Sequence, residues 1–590
     1  MKIAMENDKQ NKSHQGTKQP GPEANAHEYP STAKGLTIII AIMTSMFLVS
    51  LDRTIIATAI PYITDEFDPE TPSASAQQEL INTDSIKDIA WYGSAYLLPN
   101  SSLQLLFGKI YKFHNTRSIF LSSILLFEIG SAVCGAAPSS TALTIGRAIA
   151  GAGSAGVMSG VMQILVFVAP LEKRPVYAGL IASVSAIASV VSPLLAGAFT
   201  ENVSWRWCFY INLPIAGVAV VAVWVLVRIP SPAGSGLSFK EKVGQLDLLG
   251  LVVFVPCIVC LVFALQWGGS TYTWDDGRII ALLVVFGVTL LTWLTIQYIK
   301  KEYATVPGRI FFQRNILSGI GFATATMSAM TLLVYYIPTW FQAVKGDSPV
   351  NAGLSFIPFL FSLVIASTLG GLVTSKLGYY NPTMLLSCII APIGVGLLTA
   401  KFSPNTTHPT WIGLQVLCGL GIGLGQQQSI IAVQAVLPPA DIPIGMALVF
   451  FGQQLGGTIF LSVAETVFSE SLLSGLNGIR GLGAGTAASI ASAGATEFRH
   501  LVPPGLMPEV LDVYSRAITM TWYIALGTIC FGVVPAVCME WREIKSKKRV
   551  DKGGKVAATG DGSEHKKKPD VERDCLSVQY TAPSICNKFK

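Results

Sequence analysis

From Gly35 to Cys538 the chain alternates long apolar runs with short polar connections. Each run reaches about twenty residues, enough for a helix to cross roughly 30 Å of hydrocarbon. With glycine, proline and charge clusters as punctuation, the pattern predicts fourteen helical spans, at about 36–61, 88–107, 118–137, 140–168, 175–199, 208–228, 247–267, 278–299, 315–342, 350–374, 382–400, 410–437, 443–472 and 517–538. This is the pattern of an all-α, multi-pass membrane protein. Residues before Lys34 are polar, with no short apolar run ending in a small-residue cleavage site. The first span is therefore expected to serve as its own insertion signal, and residues 1–35 are expected to form a disordered cytosolic arm.

Charge sets the sidedness. With the N-terminus in the cytosol, the inner connections carry Lys109, Lys112, Arg117, Lys173, Arg174, Arg228, Lys240, Lys242, Lys300, Lys301, Arg309, Arg314 and Lys376, and Arg542, Lys545, Lys547, Lys548 and Arg549 follow the last span. The short outer connections hold far fewer, as the positive-inside rule requires. Two outer segments are longer, 62–87 and the Gly/Ala/Ser-rich 473–516. Asn202 and Asn405 open glycosylation sequons on outer connections. The tail, 541–590, is charged and expected to be disordered.

Composition narrows the function. Of 590 residues, 51% are hydrophobic and only 13% charged, too few charges for a water-soluble domain. The net charge of +6 sits at the ends and in short connections, so nucleic acid is not an expected partner. Ten cysteines are scattered, without a disulfide framework, and the Cys257 and Cys260 pair has no second pair to complete a metal site. No Walker A loop, HExxH or GxSxG occurs, so no enzyme activity and no cofactor is expected. Transport must then draw on an ion gradient or on the solute itself.

A weak repeat joins the segment from Gly108 through Lys112 and Asn115 to Arg117 with the one from Gly371 through Ser375 and Lys376 to Gly378. Each follows an apolar span on the inner side. That register makes 36–228 and 315–540 matching six-helix halves in the same orientation, with two helices inserted at 229–314.

The chain resembles the major facilitator superfamily, specifically its fourteen-span drug:proton antiporters of fungal toxin and multidrug efflux type. The likeness rests on the run from Leu51-Asp52-Arg53-Thr54 to Pro61, the Gly108 loop, Gly146-Arg147 with Gly151 and Gly153, and Ser192-Pro193 with Ala196-Gly197. The run from Trp205-Arg206-Trp207 to Pro214, and Tyr335-Tyr336 with Pro338, Trp340 and Gln342, belong to it as well. It implies two six-helix halves plus two inserted helices, alternating access, and proton-coupled export of a drug, mycotoxin or other secondary metabolite. Gly108, Lys112, Arg117, Pro193, Gly197, Gly371 and Lys376 fall in its conformational motifs. The family's loop motif has an aspartate where this chain has Lys112, and Asn115 replaces its second glycine. In relatives that aspartate latches the outward-open state, so Lys112 does not supply the same latch here. Ser192 and Ala196 replace two glycines of the fifth-span motif, small enough still to permit close packing.

Ionisable groups inside hydrocarbon are functional candidates by default. Asp52 lies nine residues before Pro61, about 14 Å below the outer end of its span, and Arg147 lies about eight residues into span 4, roughly 12 Å deep. At similar depth they are expected to share a polar cavity and couple protons, with Glu128 as a second carboxylate. The alternative for Asp52 is a static pair, with Arg53 as partner; for Arg147 it is a structural clamp. Glu465 reaches interfacial water. Cavity contacts are expected from Gln426, Gln427, Gln453 and Gln454, whose amides need partners in hydrocarbon, and from Tyr335, Trp340 and Trp91, which can stack on a planar ligand. Helix-to-helix hydrogen bonding and, for Trp340, aromatic-belt anchoring are the alternatives.

The expected partners are a small-molecule substrate, protons and the lipid bilayer, and the expected state is a monomer, in the plasma membrane with the vacuole as alternative. Proton-coupled uptake of amino acids, siderophores or other nutrients is the rival within transport, and a solute sensor the rival outside it.

Overall fold

The computed structural model describes residues 29–67, 84–229, 241, 244–269, 272–492, 497–545, 549–550 and 556–557. The chain divides into two units. One, Met1–Glu28 with Lys547–Lys590, contributes a single antiparallel pairing of Arg549–Val550 with Val556–Ala557. The expected N-terminal arm, most of the tail, residues 68–83 of the first outer segment, Lys240 and Lys242 lie outside the described residues.

In the other unit, Tyr29–Ser546, the described elements are helices. Its helices are α1 (Thr32–Phe67), α2 (Asp84–Phe113), α3 (Thr116–Gly135), α4 (Ser140–Val168), α5 (Arg174–Asn202) and α6 (Trp207–Leu226), then α7 (Leu248–Trp267) and α8 (Gly277–Lys300). They continue with α9 (Arg314–Lys345), α10 (Val350–Leu377), α11 (Asn381–Lys401), α12 (His408–Val436), α13 (Ile442–Asn477) and α14 (Met507–Cys538). Among the described residues thirteen of these are long and apolar enough to cross a membrane. The exception, α2, carries the buried polar groups Asn100, Ser101, Ser102 and Gln104, which lower its hydropathy and find partners across the bundle: Gln104 donates to Ser159 at 2.7 Å.

Local chemistry sets the ends. Asn115, where the family motif has glycine, caps α3 by accepting from the backbone N–H groups of Arg117 and Ser118 at 3.0 and 3.3 Å. Ser139, Asp247 and Asp276 cap α4, α7 and α8 in the same way. Several spans differ from expectation, α2 running on to Phe113 and α13 to Asn477 among them. Helix α1 continues past Pro61 to Phe67. Helix α14 starts at Met507, ten residues before the expected 517, because Pro508 occupies the first turn, where its missing N–H costs nothing. The long outer segment is shortened accordingly and holds a helix, Ala484–Ser492, and two single 3₁₀ turns.

The packing repeats. Helix α4 lies against α2 and α3, α1 against α5 and α6, and α3 against α6. Eight helices later α12 lies against α10 and α11, α9 against α13 and α14, and α11 against α14. The two sets meet along two seams, α5 with α10 and α2 with α13, again eight apart. Glycines make both crossings close. A methyl group at Gly108 would stand 2.6 Å from the Ala447 Cβ and 3.1 Å from the Pro443 carbonyl oxygen, and one at Gly371 would collide with the Pro175 carbonyl. Helix α7 packs on α8 and also touches α2 and α13, beside the second seam.

Candidate functional site

The first polar centre is built from α1, α2, α3, α4 and α6. Asp52 and Arg147 are both buried and form an ion pair, with Arg147 Nη1 2.6 Å from Asp52 Oδ2. The same nitrogen donates to the Asp52 carbonyl at 3.2 Å, and Arg147 Nε donates to the Tyr92 carbonyl at 3.1 Å. The guanidinium lies over the Tyr96 ring, 4.4 Å from its centroid. Asn212 of α6 donates to Asp52 Oδ1 at 3.3 Å and to Ser131 Oγ at 3.2 Å. Both carboxylate oxygens of Asp52 and the Nε and Nη1 groups of Arg147 are thus engaged inside the bundle, which is what a charge pair removed from water needs. The partner of Asp52 is Arg147, not Arg53. Successive helical residues point about 100° apart, so Arg53 leaves α1 on another face.

Glu128 is buried on α3, one turn before Ser131, and neither of its carboxylate oxygens has a hydrogen-bond partner among the described residues. It stands beside a fully paired carboxylate and is itself unpaired.

The second feature is a chamber of about 260 Å³ lined from α1, α2, α4, α5, α9, α10, α12 and α13. Gln426, Gln427, Gln453 and Gln454 all line it, as expected from the sequence. A helix break at Gln426–Gln427, directly after Gly425, exposes the first two. Gln454 also donates to Asn100 at 3.2 Å across the α2–α13 seam, so one amide does both jobs weighed for it. Asp52 and Arg147 do not line the chamber; they are sealed behind Tyr96, which does. The expectation of one shared cavity is corrected to a chamber with a closed polar centre one ring away.

Two expected ligand contacts lie elsewhere. Trp340 is fully buried within α9, edge-on to Phe402 at 4.6 Å and donating from Nε1 to Ser515 at 3.0 Å, a core role and not an aromatic belt. Tyr335 is 54% exposed and points away from the chamber, because the α9 face toward it is set by Met327, Met330, Thr331 and Val334. The side chain of Trp91 lies outside the described residues. Glu465 is exposed.

The third feature closes the basic end of the bundle. Asp441, just before α13, accepts from Lys112 at 3.0 Å and from both terminal nitrogens of Arg309 at 2.7 and 3.0 Å. Burial pushes the Asp441 carboxyl up, but the hydrogen bonds and charges of Arg309 and Lys112 outweigh it and hold it below the usual carboxylate range. Arg309 also holds Glu302 at 2.7 Å. Lys109 donates to the carbonyls of Gln245 and Tyr303 at 3.0 and 2.5 Å. Asp247, at a left-handed φ of 45°, collects Lys300, Gln297 and Thr305 at 2.7 to 3.0 Å. Lys112 therefore makes a charge contact at this end with Asp441, as a cation where the family's loop motif has an acid. Asp441 and Asp247 were missed as site residues. The signal for Asp441 was its place before Pro443, the start pattern of a helix.

The remaining motif residues are structural. Arg117 lies 5.9 Å from the Trp224 ring centroid, and the Lys376 side chain is exposed. Next to Pro193, Ser192 and Ala196 are buried, Ser192 donating to the Leu51 carbonyl at 3.3 Å, whereas a methyl group at Gly197 would meet nothing within 4 Å. The close approach at this motif therefore runs through the two replaced positions and not through Gly197. Trp205 and Arg206 both bind Glu66, at 2.6 and 2.7 Å, tying α6 to the outer end of α1. Asn202 and Asn405 are exposed.

Comparison with known proteins places this architecture. The family model described as Major Facilitator Superfamily matches residues 42–461. An MFS-type transporter, VdtG of Byssochlamys spectabilis, is 43% identical over 88% of this chain and 90% of its own length. The rubrofusarin-specific efflux pump aurT of Gibberella zeae is 43% identical over 89% and 92%, and the efflux pump aflT of Aspergillus parasiticus 43% over 89% and 99%. Among solved structures, the proton:xylose symporter XylE bound to 6-bromo-6-deoxy-D-glucose is similar in fold, with a TM-score of 0.54 at 14% identity over 86% of this chain and 95% of that one. By family model, by relatives aligned over most of its length and by fold, this multi-pass membrane chain belongs to the Major Facilitator Superfamily.

Proposed function

We propose that the protein is a secondary active exporter that exchanges protons for a small hydrophobic or amphipathic organic compound, working as a monomer in the plasma membrane with its basic end in the cytosol. The observation that carries this reading is the sealed Asp52–Arg147 centre, with the unpartnered Glu128 beside it, one aromatic ring away from an apolar chamber studded with amides. Such a chamber suits an apolar body with a few polar groups. The efflux pumps aurT and aflT, by their names, perform export on the same architecture.

Protons need a group that changes partners. Both Asp52 oxygens are held, by Arg147 and Asn212, so Asp52 sets the local field and Glu128 is the exchanging site. A carboxylate without partners in a water-poor site is tolerated in its neutral form and must meet water or a cation to lose its proton. Rocking of residues 36–228 against 315–540 about the chamber supplies that access once per cycle, with Lys112, Asp441 and Arg309 closing the cytosolic side in the other state.

The test uses inside-out membrane vesicles with an imposed proton gradient, acid inside. Cargo accumulation in the vesicle lumen that collapses with a protonophore is expected. Accumulation that persists after all pH and voltage differences are removed would overturn the coupling.

A further inference from the structure

Among the described residues the chamber presents one charged side chain, and none of them pairs with it. Among the described residues lining it, Arg53 alone is ionisable at neutral pH; the rest are apolar, hydroxyl or amide groups. Arg53 makes no hydrogen bond or ion pair with the described residues, although an aspartate precedes it, because Asp52 turns away into its own closed centre. That centre balances itself, one carboxylate against one guanidinium, so it lends no negative charge to the chamber. An unpaired guanidinium in a membrane-spanning cavity is costly and calls for a counter-charge. Around it lie Met46, Met158, Met162, Met327, Met330 and Phe450, a polarisable apolar wall that adapts to different shapes. On α12 the amide oxygens of Gln426 and Gln427 are buried and have no hydrogen-bond partner among the described residues.

We propose that Arg53 is the cargo-binding cation of the chamber, and that the cargo is an amphipathic organic acid. Its ionised carboxylate or acidic phenol takes the planar fork of Arg53 as a bidentate acceptor, its apolar body lies along the methionines, and its hydroxyl groups donate to Gln426 and Gln427. Lipophilic cations, a common form of drug, are disfavoured by the same charge. This rests on the export reading and narrows its substrate class.

The test is binding of naphthoic and anthracene carboxylic acids, each paired with its methyl ester, to the purified full chain. The acids are expected to bind about tenfold more tightly than their esters, a single charge-assisted contact's worth. Arg53→Gln should bring acid and ester within about twofold, and Arg53→Lys should keep part of the preference, which a merely structural role for Arg53 would not produce. If no acid binds the wild-type protein better than its ester, or if Arg53→Gln keeps the preference, the assignment falls. Should the glutamine variant fail to fold, the wild-type ratio and the lysine variant still decide. The same pairs in proteoliposomes separate the two readings. Gradient-driven export of esters and acids alike removes Arg53 and leaves export standing. Acid-selective binding with no movement of either removes export and leaves the site.

Discussion

Breaking one side of a sealed ion pair is worse than removing both, and the Asp52–Arg147 centre makes that testable. Arg147→Ala strands a buried carboxylate whose remaining donor is Asn212, an expected loss of about 3–5 kcal/mol in thermal unfolding of the detergent-purified protein. Asp52→Asn is milder, since Arg147 keeps the Asp52 and Tyr92 carbonyls and the Tyr96 ring; it should express near normally but lose proton-driven export. The double variant Asp52→Asn with Arg147→Gln should recover most of the stability. Glu128→Gln removes a carboxylate without hydrogen bonds, so folding should be unharmed while proton uptake on cargo binding disappears; undiminished uptake would remove Glu128 from the scheme. Depth arithmetic along two spans was enough to bring Asp52 and Arg147 together, although α1 runs on past the Pro61 from which Asp52 was counted. It could not say which way α9 faces, since aromatic residues line several sides of that helix; Tyr335 and Trp340 were misplaced for that reason. Arg53 was hidden by its neighbour: adjacency in sequence suggested a pair that helical geometry forbids.

At the scale of elements, the exchange of charge at the cytosolic end predicts how that end behaves. Asp441 ties α2 through Lys112, the segment before α9 through Arg309, and α13 through its own backbone. Its carboxyl is held below the usual range, so the latch gives its full stabilisation above the unfolded carboxylate value near 3.9 and loses it only as pH falls through the lower folded value. Spin-label distances across Lys112 and Asp441 should therefore stay constant between pH 5 and 8, and a change in that window would make Asp441 itself part of the proton cycle. Asp441→Asn should lengthen those distances at any pH, and Lys112→Asp combined with Asp441→Lys should restore them only in part, because Arg309 still prefers an acid. The latch was half legible. Lys112 stood out as a departure from a familiar loop, but its partner lies more than three hundred positions away, where only the folded chain brings α13 beside α2. Helix ends were read less well than helices: Pro508 looked like loop punctuation and is a helix start.

The eight-helix recurrence of packing partners leaves α7 and α8 as the elements without a counterpart, and α7 touches both sides of one seam. When the two bundles rock, α7 cannot stay fixed to both. Its attachment to α2 is the more specific: Ser94 donates to Gln266 at 2.6 Å, and Lys109 of α2 donates to the Gln245 carbonyl just before α7. Against α13 the described contacts are a ring packing, Phe254 with Phe451 at 5.4 Å, and the approach of Gly269, just after α7, to Thr466, neither of them a hydrogen bond, so this side can slide. The inserted pair should then travel with residues 36–228. In a background with the native cysteines replaced, a cysteine pair at Ser94 and Gln266, closed by oxidation, should leave gradient-driven export near the uncrosslinked rate. A pair at Phe254 and Phe451, bridged by a short bifunctional thiol reagent, should arrest it, and reduction or omission of the reagent should restore it. The opposite pattern would assign α7 to the second bundle and make the α2 contacts the ones that break in each cycle.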